Sequence, residues 1–121
     1  GAMITVEKLA RAIEKRLGHP RDEALNDAQR ILNYFGFRSV IIDNAIHPED
    51  RKLFYALHDA GLLRSSWETV LLLNGRNWRI FYWELVETDL DRVLRDEAPP
   101  EQEPLYKSLP DEAWDHLPGT T

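Results

Sequence analysis

Apolar residues recur at helical spacing through the first half of the chain and at strand spacing after it. Val6, Leu9, Ala10, Ile13 and Leu17 follow Thr5, a good N-cap, and stop at Gly18, which predicts a first helix over about 6–17. Its outer row of Lys8, Arg11 and Lys15, with Arg16 beside it, reads first as a solvated face and second as a phosphate contact. His19-Pro20 restarts the chain. Asp22 and Glu23 then suit the positive end of a helix dipole, and Ala24, Leu25, Ala28, Ile31, Leu32 and Phe35 form the stripe of a second helix, about 20–35, ended by Gly36.

The next stretch, 39–46, carries two signals. Val40-Ile41-Ile42 favours a strand, whereas Ile41, Ile42, Ala45 and Ile46 repeat at i, i+4; Ser39 as an N-cap tips the reading to a short helix. Pro48 with Glu49 and Asp50 behind it then starts a helix over 48–60 that Gly61 stops. Leu53, Phe54, Leu57 and Ala60 share its inner face, and Arg51, Lys52, Tyr55, His58 and Asp59 are expected outside.

After Leu62-Leu63, the β-prone stretches 67–73 and 78–86 flank Asn74-Gly75, a strong hairpin signal. A loop of two or four residues puts Trp67, Thr69, Leu71, Trp78, Ile80 and Tyr82 on one face, and Val70, Leu72, Phe81, Trp83 and Leu85 on the other. Both faces are then largely apolar, so the second is expected to need a cover. Candidate covers are the first helix, a short capping-box helix over 89–96 (Thr88-x-x-Asp91), the end of the chain, or a second copy. The expected core is Leu25, Ala28, Ile31, Leu32, Phe35, Leu53, Phe54, Leu57, Leu62, Leu71 and Ile80.

Ala98-Pro-Pro-Glu-Gln-Glu-Pro104 reads as a stiff extended linker. Beyond it Leu105, Tyr106, Leu109, Trp114 and Leu117 lie among acids, the pattern of a docking peptide. The chain therefore divides into a domain over 4–97 and an acidic tail over 98–121.

The order of the middle elements, with Gly61-Leu62-Leu63 joining helix to strand and Asn74-Gly75 between strands, resembles the recognition helix and wing of the winged helix-turn-helix superfamily over about 20–86. Residues 4–95 also resemble an uncharacterised archaeal protein family to which no activity is assigned. The winged-helix resemblance implies a mainly α fold with one β-hairpin, extended by an N-terminal helix. It also implies a DNA-binding or transcription-associated regulatory role. Arg51, Lys52 and Tyr55 would then border the major groove, and Arg76, Asn77 and Arg79 would meet phosphate or minor groove. The alternative is a protein-interaction module that does not bind DNA, as other winged helices are. Its candidate partner surface is Phe81, Trp83 and Leu85 with Leu105, Tyr106, Leu109 and Trp114, and it would take a protein partner or a second copy of the chain.

Charge bears on that choice once it is divided along the chain. The net charge is −6 over 121 residues, but residues 88–121 hold nine acids against Arg92, Arg95 and Lys107, and residues 1–87 hold twelve of each sign. The body is neutral and the tail is acidic, which weakens the DNA reading without removing it. The chain has no cysteine, which excludes disulfides and thiolate chemistry. It has no apolar run of membrane-spanning length and no leader pattern, so a cytoplasmic protein is expected. Gly1-Ala2 ahead of Met3 reads as an expression remnant.

His19, His47, His58 and His116 close no metal motif. Asp43, His47 and Asp50 come nearest, and a cap and a turn explain them better. With no phosphate loop or nucleophile motif in the chain, no catalysis, cofactor or metal is expected.

Overall fold

A computed structural model describes residues 4–96; residues 1–3 and 97–121 lie outside it, and with them the linker and Leu105, Tyr106, Leu109 and Trp114. Helix α1 is Val6–Leu17, capped by Thr5, whose Oγ1 accepts the Lys8 N–H at 3.1 Å, and closed by Gly18 in the left-handed region. Helix α2 is Arg21–Phe35 and packs along α1. Their shared stripe, Leu9, Ala10, Ile13, Ala24, Ala28, Ile31 and Phe35, is the first half of the core. Leu25 and Leu32 pack at its edge, half-buried.

Residues 39–46 are not a helix. Val40–Ile42 form strand β1, and Asp43–Ala45 make one 3-10 turn. The Ser39 carbonyl accepts the Leu85 N–H at 2.9 Å, so Ser39 extends a ladder and does not cap a helix. Pairing with a distant strand decides between two local patterns of similar strength.

Helix α3, Pro48–Asp59, starts at its proline as expected. It ends in a Schellman-type stop: Leu62 N–H reaches Leu57 C=O at 2.8 Å, Gly61 N–H reaches His58 C=O at 3.0 Å, and Gly61 takes a φ of 81°. That stop buries Leu62 and Leu63 and launches strand β2, Arg64–Leu71, which is followed by β3, Asn77–Glu84. The sheet is antiparallel in the order β1-β3-β2. The fold is therefore mixed α/β, with a third strand beyond the expected hairpin.

The turn between β2 and β3 sets which side chains face the core. Leu71 pairs with Asn77, leaving 72–76 as the loop. Gly75 N–H donates to Leu72 C=O at 3.0 Å, Leu72 N–H to Arg76 C=O at 2.8 Å, and Gly75 has a φ of 83°. This is a type I turn with a glycine bulge, an odd-length connection. The odd length exchanges the faces of β3 relative to β2. Trp67 stands opposite Phe81 and Val70 opposite Trp78, where an even loop had grouped Val70 with Phe81 and Trp83. The inner face thus carries Ser65, Trp67, Thr69 and Leu71 with Trp83, Phe81, Arg79 and Asn77. The outer face carries Arg64, Ser66, Glu68 and Val70 with Glu84, Tyr82, Ile80 and Trp78.

At the base of the inner face Trp83 is buried against Phe54, Tyr55 and His58, at ring separations of 5.6, 5.8 and 5.9 Å. Ile41, its partner on β1, is buried with it. The helices thus cover only the proximal half of the hairpin. Leu71, expected in the core, is 72% exposed.

Helix α4, Glu87–Leu94, begins two residues before the expected start, with Val86 at its N-cap and Thr88 inside the helix. Leu90 and Val93 close the core against α1. Asp89, wholly buried, receives two bonds from Arg64, each 2.8 Å, which fasten α4 to the foot of β2. Among the described residues no helix is long and apolar enough to cross a membrane.

Candidate interaction surface

The sequence singled out two surfaces, α3 and the hairpin. On α3, Arg51 lies against the body: its guanidinium donates to Asp43 Oδ2 at 2.7 Å and to the Asp43 carbonyl at 3.2 Å. The hydrogen bond to Asp43 raises the guanidinium's pKa above its ordinary value. Asp43 in turn accepts the Trp83 indole N–H at 2.9 Å, so Arg51, Asp43 and Trp83 tie α3, the 3-10 turn and β3 into one unit. Asp50 is engaged as well, by Tyr34 and Arg30 of α2. Those bonds, Tyr34 first and Arg30 second, hold its carboxyl below the usual range.

What α3 leaves exposed is Glu49, Lys52, Tyr55 and Asp59, two acids against one lysine. His58, expected outside, is buried. Its Nε2 lies 3.2 Å from Ser65 Oγ and its ring edge meets Trp83. With Asp59 Oδ1 3.6 Å from its Nδ1, this trio has the residue types of a hydrolytic triad. The imidazole, however, is buried against the Trp83 ring as a strut between α3 and β2.

Of the six residues expected at nucleic acid, Arg51 is thus a strut, and Lys52 and Tyr55 stand on the exposed side of α3. Arg76 and Asn77 are exposed at the hairpin tip, and Arg79 is half-buried on the inner face. Of the expected partner surface, Trp83 and Leu85 belong to the core and are covered by the chain itself. An exposed role for them is corrected by the odd turn, which points Trp83 at α3. Phe81 is half-buried beside Trp67. Asp43, His47 and Asp50 do not converge, and among the described residues no three potential ligands do.

Exposed large apolar side chains cluster on the distal hairpin, with Phe37 and Val40 exposed apart from it; sequence reasoning had put Leu71 and Ile80 in the core and Val70 and Leu72 on the face that needs a cover. Trp78 is 49% exposed on the outer face, next to half-buried Val70 and Ile80; Leu71, Leu72 and Leu73 crown the tip, and Trp67 is 38% exposed on the inner face. Alternation of residue type along the strands was the available signal, but both faces read as apolar.

A model of a family described as a family of unknown function (DUF6015) matches residues 2–117. The chain belongs to DUF6015. The DUF6015 match covers the hairpin and α4 and continues to Leu117, so it includes acidic residues beyond the described ones. Comparison with curated proteins finds no match to the chain.

Proposed function

We propose that this DUF6015 chain is a non-catalytic, winged-helix-like protein-interaction module that docks its partner on the outer face and tip of the β2–β3 hairpin. The order α2, β1, turn, α3, β2, β3, with β1 and β2 flanking β3, is compatible with a winged helix in which α3 stands at the recognition position and 72–76 forms the wing tip. The observation that carries the reading is the exposure of Trp78, Leu72 and Leu73 on an element that projects past the helices. A soluble chain seldom leaves such a cluster in water, and tryptophan is favoured as an anchor at the centre of interfaces. The DNA reading has less support, because Arg51 is engaged by Asp43 and Lys52 stands between Glu49 and Asp59.

A photocrosslinking amino acid at position 78 tests the module in the cell of origin. A discrete protein adduct from position 78, absent when the same group replaces Arg11 on α1, is expected. Adducts to nucleic acid from position 78, or equal protein adducts from both positions, would overturn the reading.

A further inference from the structure

We infer that the inner face of the hairpin is a docking site for the acidic C-terminal segment of the same chain, residues 105–117, bound in cis. The inference goes beyond the module reading, which rests on the opposite face and the tip.

Rung by rung, the inner face rises from the buried pair Ser65/Trp83 through Trp67/Phe81 and Thr69/Arg79 to Leu71/Asn77. An aromatic pair lies directly above the core, Arg79 stands on the next rung opposite Thr69, and Leu71 stands on the rung beyond. A face that sets aromatic and aliphatic side chains beside a positive charge suits a ligand that alternates large apolar side chains with carboxylates. The segment after α4 has that composition. Residues 97–121 carry six acids against the single Lys107, and among them stand Leu105, Tyr106, Leu109, Trp114 and Leu117.

The connection is long enough. The Arg64–Asp89 pair puts the first turn of α4 at the foot of β2. From Asp89 to Asp96 a helical path is about 10 Å, and from Arg64 up to the Thr69/Arg79 rung is about 17 Å of strand. At roughly 3.1 Å per residue a fully extended path would span about 25 Å over the eight residues 97–104 and about 37 Å over the twelve residues 97–108, more than those two paths together, which brings Leu109 and the acids after it within reach of Trp67 and Arg79. The family match spans both the hairpin and this segment, to residue 117. A second copy is a poorer occupant: two-fold pairing of this face on itself would bring the two Arg79 guanidinium groups toward each other.

The natural sequence lacks cysteine, so Ser108→Cys carries a single nitroxide in the otherwise intact chain. In ¹⁵N spectra of that chain we expect the amides of Thr69, Leu71, Arg79 and Phe81 to broaden, and those of Gln29 and Asn33 on α2 to stay sharp. Adding Asp111→Asn and Glu112→Gln should reduce the broadening at least twofold; Arg79→Glu should do the same, and Arg79→Lys should largely restore it. A mixture of spin-labelled ¹⁴N chain and unlabelled ¹⁵N chain should show none. Sharp hairpin amides in the labelled chain, broadening indifferent to the tail charges, or broadening that arises in the mixture would each overturn docking in cis. Because position 78 is on the other face, the cross-link reads the module and the nitroxide reads the tail, and either can fail alone.

Discussion

The indole N–H of Trp83 donates to Asp43 Oδ1 at 2.9 Å across 40 residues of sequence, while the other oxygen of the same carboxylate takes Arg51 at 2.7 Å. One side chain therefore sets where β3, the 3-10 turn and α3 stand relative to one another. Asp43→Ala leaves a buried indole N–H unpaired and releases Arg51, and is expected to cost about 2–3 kcal/mol. Trp83→Ala is expected to cost about 3–5 kcal/mol through the cavity it leaves among Phe54, Tyr55 and His58. Urea unfolding measures both. A cost below about 1 kcal/mol for Trp83→Ala would contradict its place in the core.

The second prediction concerns an asymmetric pair. Asp89 is wholly buried, whereas Arg64, which grips it, has 45% of its side chain exposed. Arg64→Ala leaves a carboxylate in the interior with Arg92, at 3.3 Å, as its remaining cation. Asp89→Ala leaves a guanidinium that can turn to water. The arginine deletion is therefore expected to cost more, about 3–5 kcal/mol, and the aspartate deletion less, with the double variant well short of the sum. A double-mutant cycle by denaturant unfolding checks the order, and equal single costs would contradict it.

Much of this architecture is legible in the sequence wherever the cause is local. Thr5 and Gly18 bound α1, and Pro48 and Gly61 bound α3, because caps and stops act through the nearest backbone groups. Strand β1 is not legible in this way, since three β-branched residues are settled by a partner more than forty residues on. The hairpin faces hinge on one residue of loop length. Asn74-Gly75 marks a turn but does not say whether the loop is odd or even, and the bulge at Gly75 makes it odd. His58 was within reach, because it lies four positions after Phe54 and so on the same helical face; its polarity suggested solvent. Arg51 was not, because its partner Asp43 becomes available through the 3-10 turn that follows β1. The candidate surface shifted for the same reason as the strand faces.

Stability should depend on pH through Asp50. Bonds from Tyr34 and Arg30 hold its folded pKa below the ordinary value of 3.8. A depressed folded pKa contributes stability that is fully present above the unfolded pKa and is lost as pH falls through the folded one. Asp50→Asn is therefore expected to be less stable than the parent by about 1–3 kcal/mol at neutral pH. The difference should narrow below about pH 4, where the parent loses the same bonds. Urea midpoints of the two proteins, taken from neutral to acid pH, test this. A difference that stays constant through the acid range would contradict it.

Under the proposed function, the exposed surface of α3 and the hairpin serves apolar docking and not phosphate. The most direct measurement is the fluorescence anisotropy of a labelled generic DNA duplex titrated with the full chain, and with a chain ending at residue 97 that lacks the acidic segment, each at low and physiological salt. Contacts to phosphate release counterions, so a DNA-binding surface would show affinity falling steeply with salt, and Lys52→Ala with Arg76→Ala would reduce that slope by about one or two. Neither chain is expected to show salt-dependent binding at tens of micromolar protein. Saturable binding by the shortened chain, with a slope that those two substitutions flatten, would contradict it.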